Sequence, residues 1–221
     1  MIRWDGPEDA DLAVILAPGD RGQVEDAAPR ALALSLAAAG LRVARFADPS
    51  PAGDAPRRDA ALATKIREAA AARRAGHPGS ARLLRALRDP GGGRVDRDGL
   101  VLAGFSRGAR VSAGLVVELG AVGLVGLAYP FHGRRDPDPK GRVEELVAAG
   151  VPTLVCQGTR DSHGNREQVR GYGLPRRIRL HWLVDANHAL NPRARSGQPR
   201  EALLAEAAAV IVAFVRSLAQ G

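Results

Sequence analysis

Cysteine, lysine and aromatic residues are scarce in this 221-residue chain. Cys156 is the only cysteine, so no disulfide can form within the chain. Its place in the apolar stretch Thr153-Leu154-Val155-Cys156 reads as a buried small hydrophobe rather than a reactive thiol. Lysine occurs only at Lys65 and Lys140, which leaves arginine to supply the rest of the basic residues behind a net charge of +8. The arginines are scattered or stand in short doublets such as Arg57-Arg58, Arg73-Arg74 and Arg176-Arg177. Aromatic residues, at 4%, do not interleave with them. Specific nucleic-acid binding wants a basic stripe with stacking platforms, so that function class is set aside. No stretch approaches the roughly 18 apolar residues of a membrane span. Asp5, Glu8, Asp9 and Asp11 precede the first apolar run, the reverse of a secretory signal, and the expected compartment is the cytoplasm. Zinc-ligand spacing, a P-loop and a dinucleotide fingerprint are all missing, so no metal or cofactor is implied.

The hydrophobic content of 45% is enough for one large core, and a single α/β domain over 1–221 is expected. Six short apolar runs alternate with segments of helical period, the pattern of a mostly parallel sheet with helices on both faces. The proposed strands are Leu12 to Ala17, Leu41 to Phe46, Gly99 to Ala103, Val122 to Ala128, Thr153 to Cys156 and Ile178 to Val184. Helices are expected over Val24 to Ala39, Asp59 to Ala75, Ser80 to Arg88, Arg107 to Leu119, Arg142 to Ala149 and Arg200 to Leu218. The proline- and glycine-rich stretch Ala47 to Arg58 reads as a loop beside the sheet, and no insertion is long enough for a lid.

Gly104-Phe105-Ser106-Arg107-Gly108 stands between the third run and a helical segment. A serine aimed outward from a strand-to-helix turn needs a strained backbone with positive φ. Its neighbours two residues away lie so close to strand and helix that only glycine fits. In a chain with 26 glycines the pentapeptide is not decisive by itself, and Ser106 could simply cap the helix. Its context adds weight. A serine nucleophile predicts an acid after a later strand and a histidine after the last one, and Asp161 and His188 occupy those places. Functional groups of parallel sheets gather at the carboxyl ends of the strands, which allows the three to converge. His188 would then take the Ser106 proton, Asp161 would hold and stabilise the imidazole, and an oxyanion hole would use the backbone N–H of Arg107 with one from Pro18-Gly19-Asp20. Asp185 and Asp136 are rival acids and His163 a rival base. His77 sits in an exposed Gly-His-Pro-Gly loop, and His181, within a strand, reads as structural.

Four stretches give the chain a family resemblance: Ala103 to Arg110, Tyr129-Pro130-Phe131-His132, Gln157-Gly158-Thr159-Arg160-Asp161, and His181 to Leu183 continuing through Asn187-His188 to Arg193. From about Leu12 to Phe214 the chain resembles small α/β-hydrolases of the dienelactone-hydrolase-like clan, in particular the predicted hydrolases related to testis-expressed proteins and to subunits of the chromatin complex NSL. The resemblance implies a lidless hydrolase fold without extra N-terminal antiparallel strands, and a triad of Ser106, Asp161 and His188. A small ester or thioester substrate is expected; His132, with Tyr129, either lines the pocket or is a hydrogen-bonded structural histidine.

The chain departs from that pattern twice. Where the group tends to carry a His-Gly-Ala-Gly loop, this chain has Pro18-Gly19-Asp20-Arg21, and a carboxylate at Asp20 would oppose an oxyanion unless it turns away or pairs with Arg21. Arg107 replaces a common methionine and would place a cation near the pocket mouth, favouring acidic substrates. Two functions are therefore carried forward: a serine hydrolase working through an acyl-enzyme, and a hydrolase fold kept as an interaction module with catalysis weakened or lost.

Overall fold

The computed structural model describes residues 1–76, 99–133 and 138–219. The expected helix Ser80 to Arg88, His77 and Asp136 lie outside the described residues. Seven strands form one sheet: β1 (Ile2–Asp5), β2 (Leu12–Ala17), β3 (Arg42–Phe46), β4 (Gly99–Phe105), β5 (Gly123–Leu127), β6 (Thr153–Gly158) and β7 (Ile178–Leu183). Their spatial order is β1-β3-β2-β4-β5-β6-β7, parallel throughout except for β1. Helices α1 (Ala27–Ala38), α2 (Ala55–Gly76), α3 (Arg107–Leu115), α4 (Lys140–Ala148), α5 (Arg166–Arg170) and α6 (Arg200–Leu218) cover the faces.

The apolar strands are hydrophobic at nearly every position because both faces are covered. Alternate residues divide between two cores. Val14, Leu16, Val101, Ala103, Val125, Leu127 and Leu154 pack with α1 and with the Leu203, Ala207, Ile211 and Phe214 stripe of α6. Ile15, Ala17, Leu100, Leu102, Leu124 and Val155 pack with Leu62 and Ile66 of α2, with α3, and with Leu146 of α4. Truncating one of the fully buried leucines, such as Leu102 or Leu124, to alanine would cost about 2–5 kcal/mol.

The sheet is mostly parallel as expected, with one strand more than the six read from the sequence, and that strand is antiparallel and N-terminal, where none was expected. β1 was hidden because Asp5 and its acidic neighbours read as solvated chain. In the fold, Asp5 accepts from the buried Arg45 Nε at 2.6 Å, and Arg42 lies over the Trp4 ring at 5.3 Å. The short α5 also had no apolar signal of its own. Asn165 starts it with a reciprocal capping box to Gln168.

The chain passes from β2 outward to β3 and then returns to β4 on the other side of β2. A switch in direction of this kind opens a crevice at the carboxyl ends of the two strands, β2 and β4. No helix among the described residues is long and apolar enough to cross a membrane.

Candidate active site

The turn after β4 carries Ser106 with φ 48° and ψ −116°, a conformation that costs a non-glycine residue roughly 1–3 kcal/mol. Its surroundings hold it there. The Ser106 N–H donates to the Leu127 carbonyl at 2.8 Å, and its carbonyl accepts from Ala109 in the first turn of α3. A Cβ on Gly104 would strike the Gly108 carbonyl carbon and the Ala109 nitrogen, and one on Gly108 would strike the carbonyls of Pro18 and Ala17. The two glycines therefore let helix and strand close around the serine and bring the loop after β2 against it.

Ser106 Oγ lies 2.9 Å from His188 Nε2, and His188 Nδ1 lies 2.9 Å from each oxygen of Asp161. An ionised carboxylate only accepts, so Nδ1 carries the imidazole proton and Nε2 presents its lone pair to the serine hydroxyl. The Asp161 side chain is fully buried. Gln157 Nε2 donates to its Oδ2 at 3.0 Å, and the His163 N–H donates to its Oδ1 at 2.8 Å. Gln157 also reaches the Tyr129 and Gly164 carbonyls at 3.1 Å, while its own Oε1 is buried and has no partner among the described residues. With acceptors on every side of the amide nitrogen, only this orientation of the side chain is compatible with the site.

The histidine loop leans on the acid loop through backbone contacts. Arg160 N–H donates to Ala186 O at 3.0 Å, Thr159 N–H to Leu183 O at 3.0 Å, and Asp185 N–H to Thr159 Oγ1 at 2.9 Å. A Cβ on Gly158 would collide with the Ala186 carbonyl, so glycine is needed where the two loops meet. Asp185 is not a rival to Asp161. Its carboxylate accepts from Arg193 Nε at 2.5 Å and from the Arg193 N–H at 3.0 Å; those bonds, with a contribution from Arg160, hold it down at about 2. His163 is not placed as the base either. Its Nδ1 meets the His132 carbonyl at 2.9 Å, and its ring packs 4.3 Å from the His188 ring. Burial holds the His163 imidazole below its ordinary range.

A cleft of about 460 Å³ opens beside the serine, lined in part by Gly19, Asp20, Phe105, Ser106, His188 and Arg200. Of the two readings of His132 and Tyr129, the structure favours the structural one. Both are buried away from the cleft, with Tyr129 Oη bonded to the Arg142 carbonyl and His132 Nδ1 to the Gly133 carbonyl. They sit behind the acid, where their backbone carbonyls receive Gln157 and His163.

Arg107 also departs from expectation. Its guanidinium is nearly buried among carboxylates rather than at the mouth. It reaches Asp48 at 2.5 Å, Ser50 Oγ at 2.9 Å, Asp20 at 3.4 Å and Asp59 at 3.5 Å. Asp20 does turn aside, but its main partner is Arg58, not Arg21. Asp48, almost wholly buried, accepts in addition the Arg21 N–H at 2.8 Å. Arg107, the residue after Ser106, is thereby tied to the loop that follows β2, and the Asp20 carboxylate is engaged by Arg58 and Arg107.

Asp48 and Ser50 were not singled out by the sequence, and Gln157 was named only within a motif, with no role of its own. A glutamine inside an apolar strand, four residues before the acid, is the one signal that was readable. Cys156 is fully buried and its thiol is pushed up to about 12 by burial, with Glu206 adding to the shift, so it stays protonated and inert. Among the described residues no group of three or more histidines, cysteines or acids is arranged to hold a metal.

Residues 10–216 match the family model described as an alpha/beta hydrolase domain. No curated protein matches the chain. Among solved structures, the chain is similar to an α/β serine hydrolase without a lid from Xanthomonas campestris, with 22% identity, a TM-score of 0.69, and 98% of this chain and 88% of that one covered. It is similar also to an α/β serine hydrolase homologue from Coxiella burnetii, with 19% identity, a TM-score of 0.60 and coverage of 98% and 89%. A Thermus thermophilus structure gives 21% identity, a TM-score of 0.58 and coverage of 100% and 94%. At these identities the structural likeness establishes the fold.

Proposed function

The chain belongs to the alpha/beta hydrolase family, and from that premise we propose that it is a serine hydrolase cleaving a small ester or thioester through an acyl-enzyme. The observation that carries this reading is the unbroken line from Ser106 Oγ through His188 to the buried Asp161, with 2.9 Å at each step. In the first half-reaction Ser106 Oγ attacks the acyl carbon while its proton passes to His188 Nε2. Asp161 stabilises the imidazolium and keeps its orientation. The oxygen that becomes negative is received by the N–H of Arg107, at the open N-terminal turn of α3, and by an N–H of the Gly19-Asp20 segment. His188 then gives its proton to the departing alcohol or thiol. In the second half a water attacks the acyl-enzyme, loses its proton to His188, and the acid is released with Ser106 restored.

The finer resemblance to the dienelactone-hydrolase-like clan, and to the testis-expressed and NSL-subunit group, belongs to this proposal. It is supported by the Tyr129-Pro130-Phe131-His132 segment, whose carbonyls receive the Gln157 and His163 side chains beside the acid. We place the activity in the cytoplasm, in a single domain that acts on a small molecule and needs neither nucleic acid nor membrane. The interaction-module reading drew on Asp20 and on the group's kinship with subunits of multiprotein complexes, and the pairing of Asp20 with Arg58 weakens the first of these grounds.

Labelling with a fluorophosphonate probe tests the proposal, because only an activated serine reacts quickly. Wild type should label, Ser106→Ala and His188→Ala should not, and each variant should lose roughly 10⁴-fold or more in ester hydrolysis. A folded wild type that neither labels nor turns over any ester would overturn the proposal in favour of the module.

A further inference from the structure

Arginines crowd this site, and nearly all of them face carboxylates. Arg107 meets Asp48, Asp20 and Asp59; Arg58 meets Asp20; Arg110 meets Asp59 and Glu145; Arg160 and Arg193 meet Asp185. Arg200, the first residue of α6, differs. It lines the same cleft as Ser106 and His188, and it is the only cationic side chain among the residues that do. Among the described residues it forms no ion pair. One of its terminal nitrogens donates to the Ala189 carbonyl at 2.8 Å, and its Nε is buried with no hydrogen-bond partner. Ala189 follows His188 directly, so the guanidinium is anchored to the loop that carries the base, with no carboxylate partner among the described residues.

Two other charged side chains line the cleft. Asp20 is neutralised by Arg58. Asp26 is exposed at the start of α1, where its Oδ2 accepts the Gln23 N–H at 2.7 Å. The cleft lined by Ser106 and His188 is therefore lined also by one arginine, anchored to the residue that follows His188. A guanidinium is the side chain that best matches a planar acceptor with two oxygens.

Resting on the hydrolase reading above, we propose that the cleft takes an ester or thioester carrying a carboxylate, such as a half-ester of a short dicarboxylic acid, and that Arg200 recognises that carboxylate. The cation expected of Arg107 on sequence grounds is thus supplied from another element, while Arg107 is engaged in holding the oxyanion loop.

A matched pair of substrates tests this: 4-nitrophenyl hydrogen succinate and 4-nitrophenyl butyrate, similar in length and differing in the terminal charge. Wild type should prefer the succinate by about tenfold or more in kcat/KM, the size of a charge-assisted hydrogen bond. Arg200→Met should remove most of that preference through KM for the succinate, and Arg200→Lys should keep part of it. Asp26→Asn, which removes the remaining lining carboxylate, should raise the preference. Free succinate should slow fluorophosphonate labelling of wild type and leave the labelling of Arg200→Met unaffected. A wild type with no preference, or equal losses on both esters in Arg200→Met, would overturn the proposal and leave Arg200 as a support for the Ala189 loop. Brisk labelling that succinate does not slow would overturn it while leaving the hydrolase reading intact. Failure of both labelling and turnover would overturn the two together.

Discussion

The serine half of the site and the acid–base half are built from different materials. Asp161 and His188 sit on loops tied to each other by main-chain hydrogen bonds, by a glycine contact at Gly158 and by one buried amide, Gln157. Ser106 and the loop beyond β2 are joined instead by a cluster of charges, with Arg107 and Arg58 facing Asp20, Asp48 and Asp59. Main-chain bonds hold their geometry over a wide range of pH, whereas ion pairs last only while their carboxylates stay ionised. On the proposed reading, the supports of the acid and base are thus mainly main-chain, and those beside the proposed oxyanion hole are mainly ionic.

The contrast can be broken most severely at Gly158. Gly158→Ala forces Ala186 to move and displaces His188, and a shift of about 1 Å at the base is expected to cost about 10²-fold in kcat. Steady-state kinetics beside a thermal melt would separate this from unfolding. Gln157→Leu should come next. It strips a donor from a buried carboxylate, so about 1–3 kcal/mol of stability should be lost, or roughly 2–4 °C in Tm per kcal/mol, with a marked fall in kcat.

On the charged half, Arg107→Met keeps the backbone N–H and removes only the guanidinium. About tenfold should be lost in kcat, with KM for a neutral ester little changed, and Asp48→Asn should show overlapping rather than additive losses in a double-mutant cycle. A matching collapse of Tm and of KM would mean that the ion pairs stabilise the fold without positioning the hole.

The pH dependence of stability gives a smaller effect. Burial pushes the Asp48 carboxyl up, but hydrogen bonds from Ser50, Arg21 and Arg107 outweigh burial and hold it below its ordinary 3.8. Its folded pKa is therefore below its unfolded one. The stability it confers is complete above the unfolded value and is lost as pH falls through the folded value. The Tm gap between wild type and Asp48→Asn should be widest near about pH 6 and narrow as pH falls below the unfolded value of about 4. A gap independent of pH would show that shape rather than charge sets the contribution of Asp48.

Buried parallel strands announce themselves in a sequence, because both faces must be apolar, and the six runs read from it lie within a residue or two of β2 to β7. The placing of Ser106, Asp161 and His188 after β4, β6 and β7 could also be read, since strand ends are where a parallel sheet brings distant segments together. What escaped notice depended on long-range pairing. Asp5 reads as solvated until Arg45 is folded against it. Arg107 reads as a free cation until Asp48, 59 residues earlier, reaches it. Gln157 was passed over because an amide in a strand carries no chemistry until its acceptors are known. Charge partners separated by tens of residues leave no periodic trace, and for that reason the oxyanion side was the part read least well.

The antiparallel strand β1 bears on a different matter, the behaviour of the protein when crowded. A parallel sheet ending at β3 would offer a line of unpaired amides to any neighbouring chain. β1 occupies that line with four residues, one of them the exposed Arg3. At the opposite margin β7 carries Arg179, which is exposed, and His181, paired with Glu206 at 2.7 Å. Strand addition at either margin would have to bury charge, so the sheet discourages its own extension into fibrils.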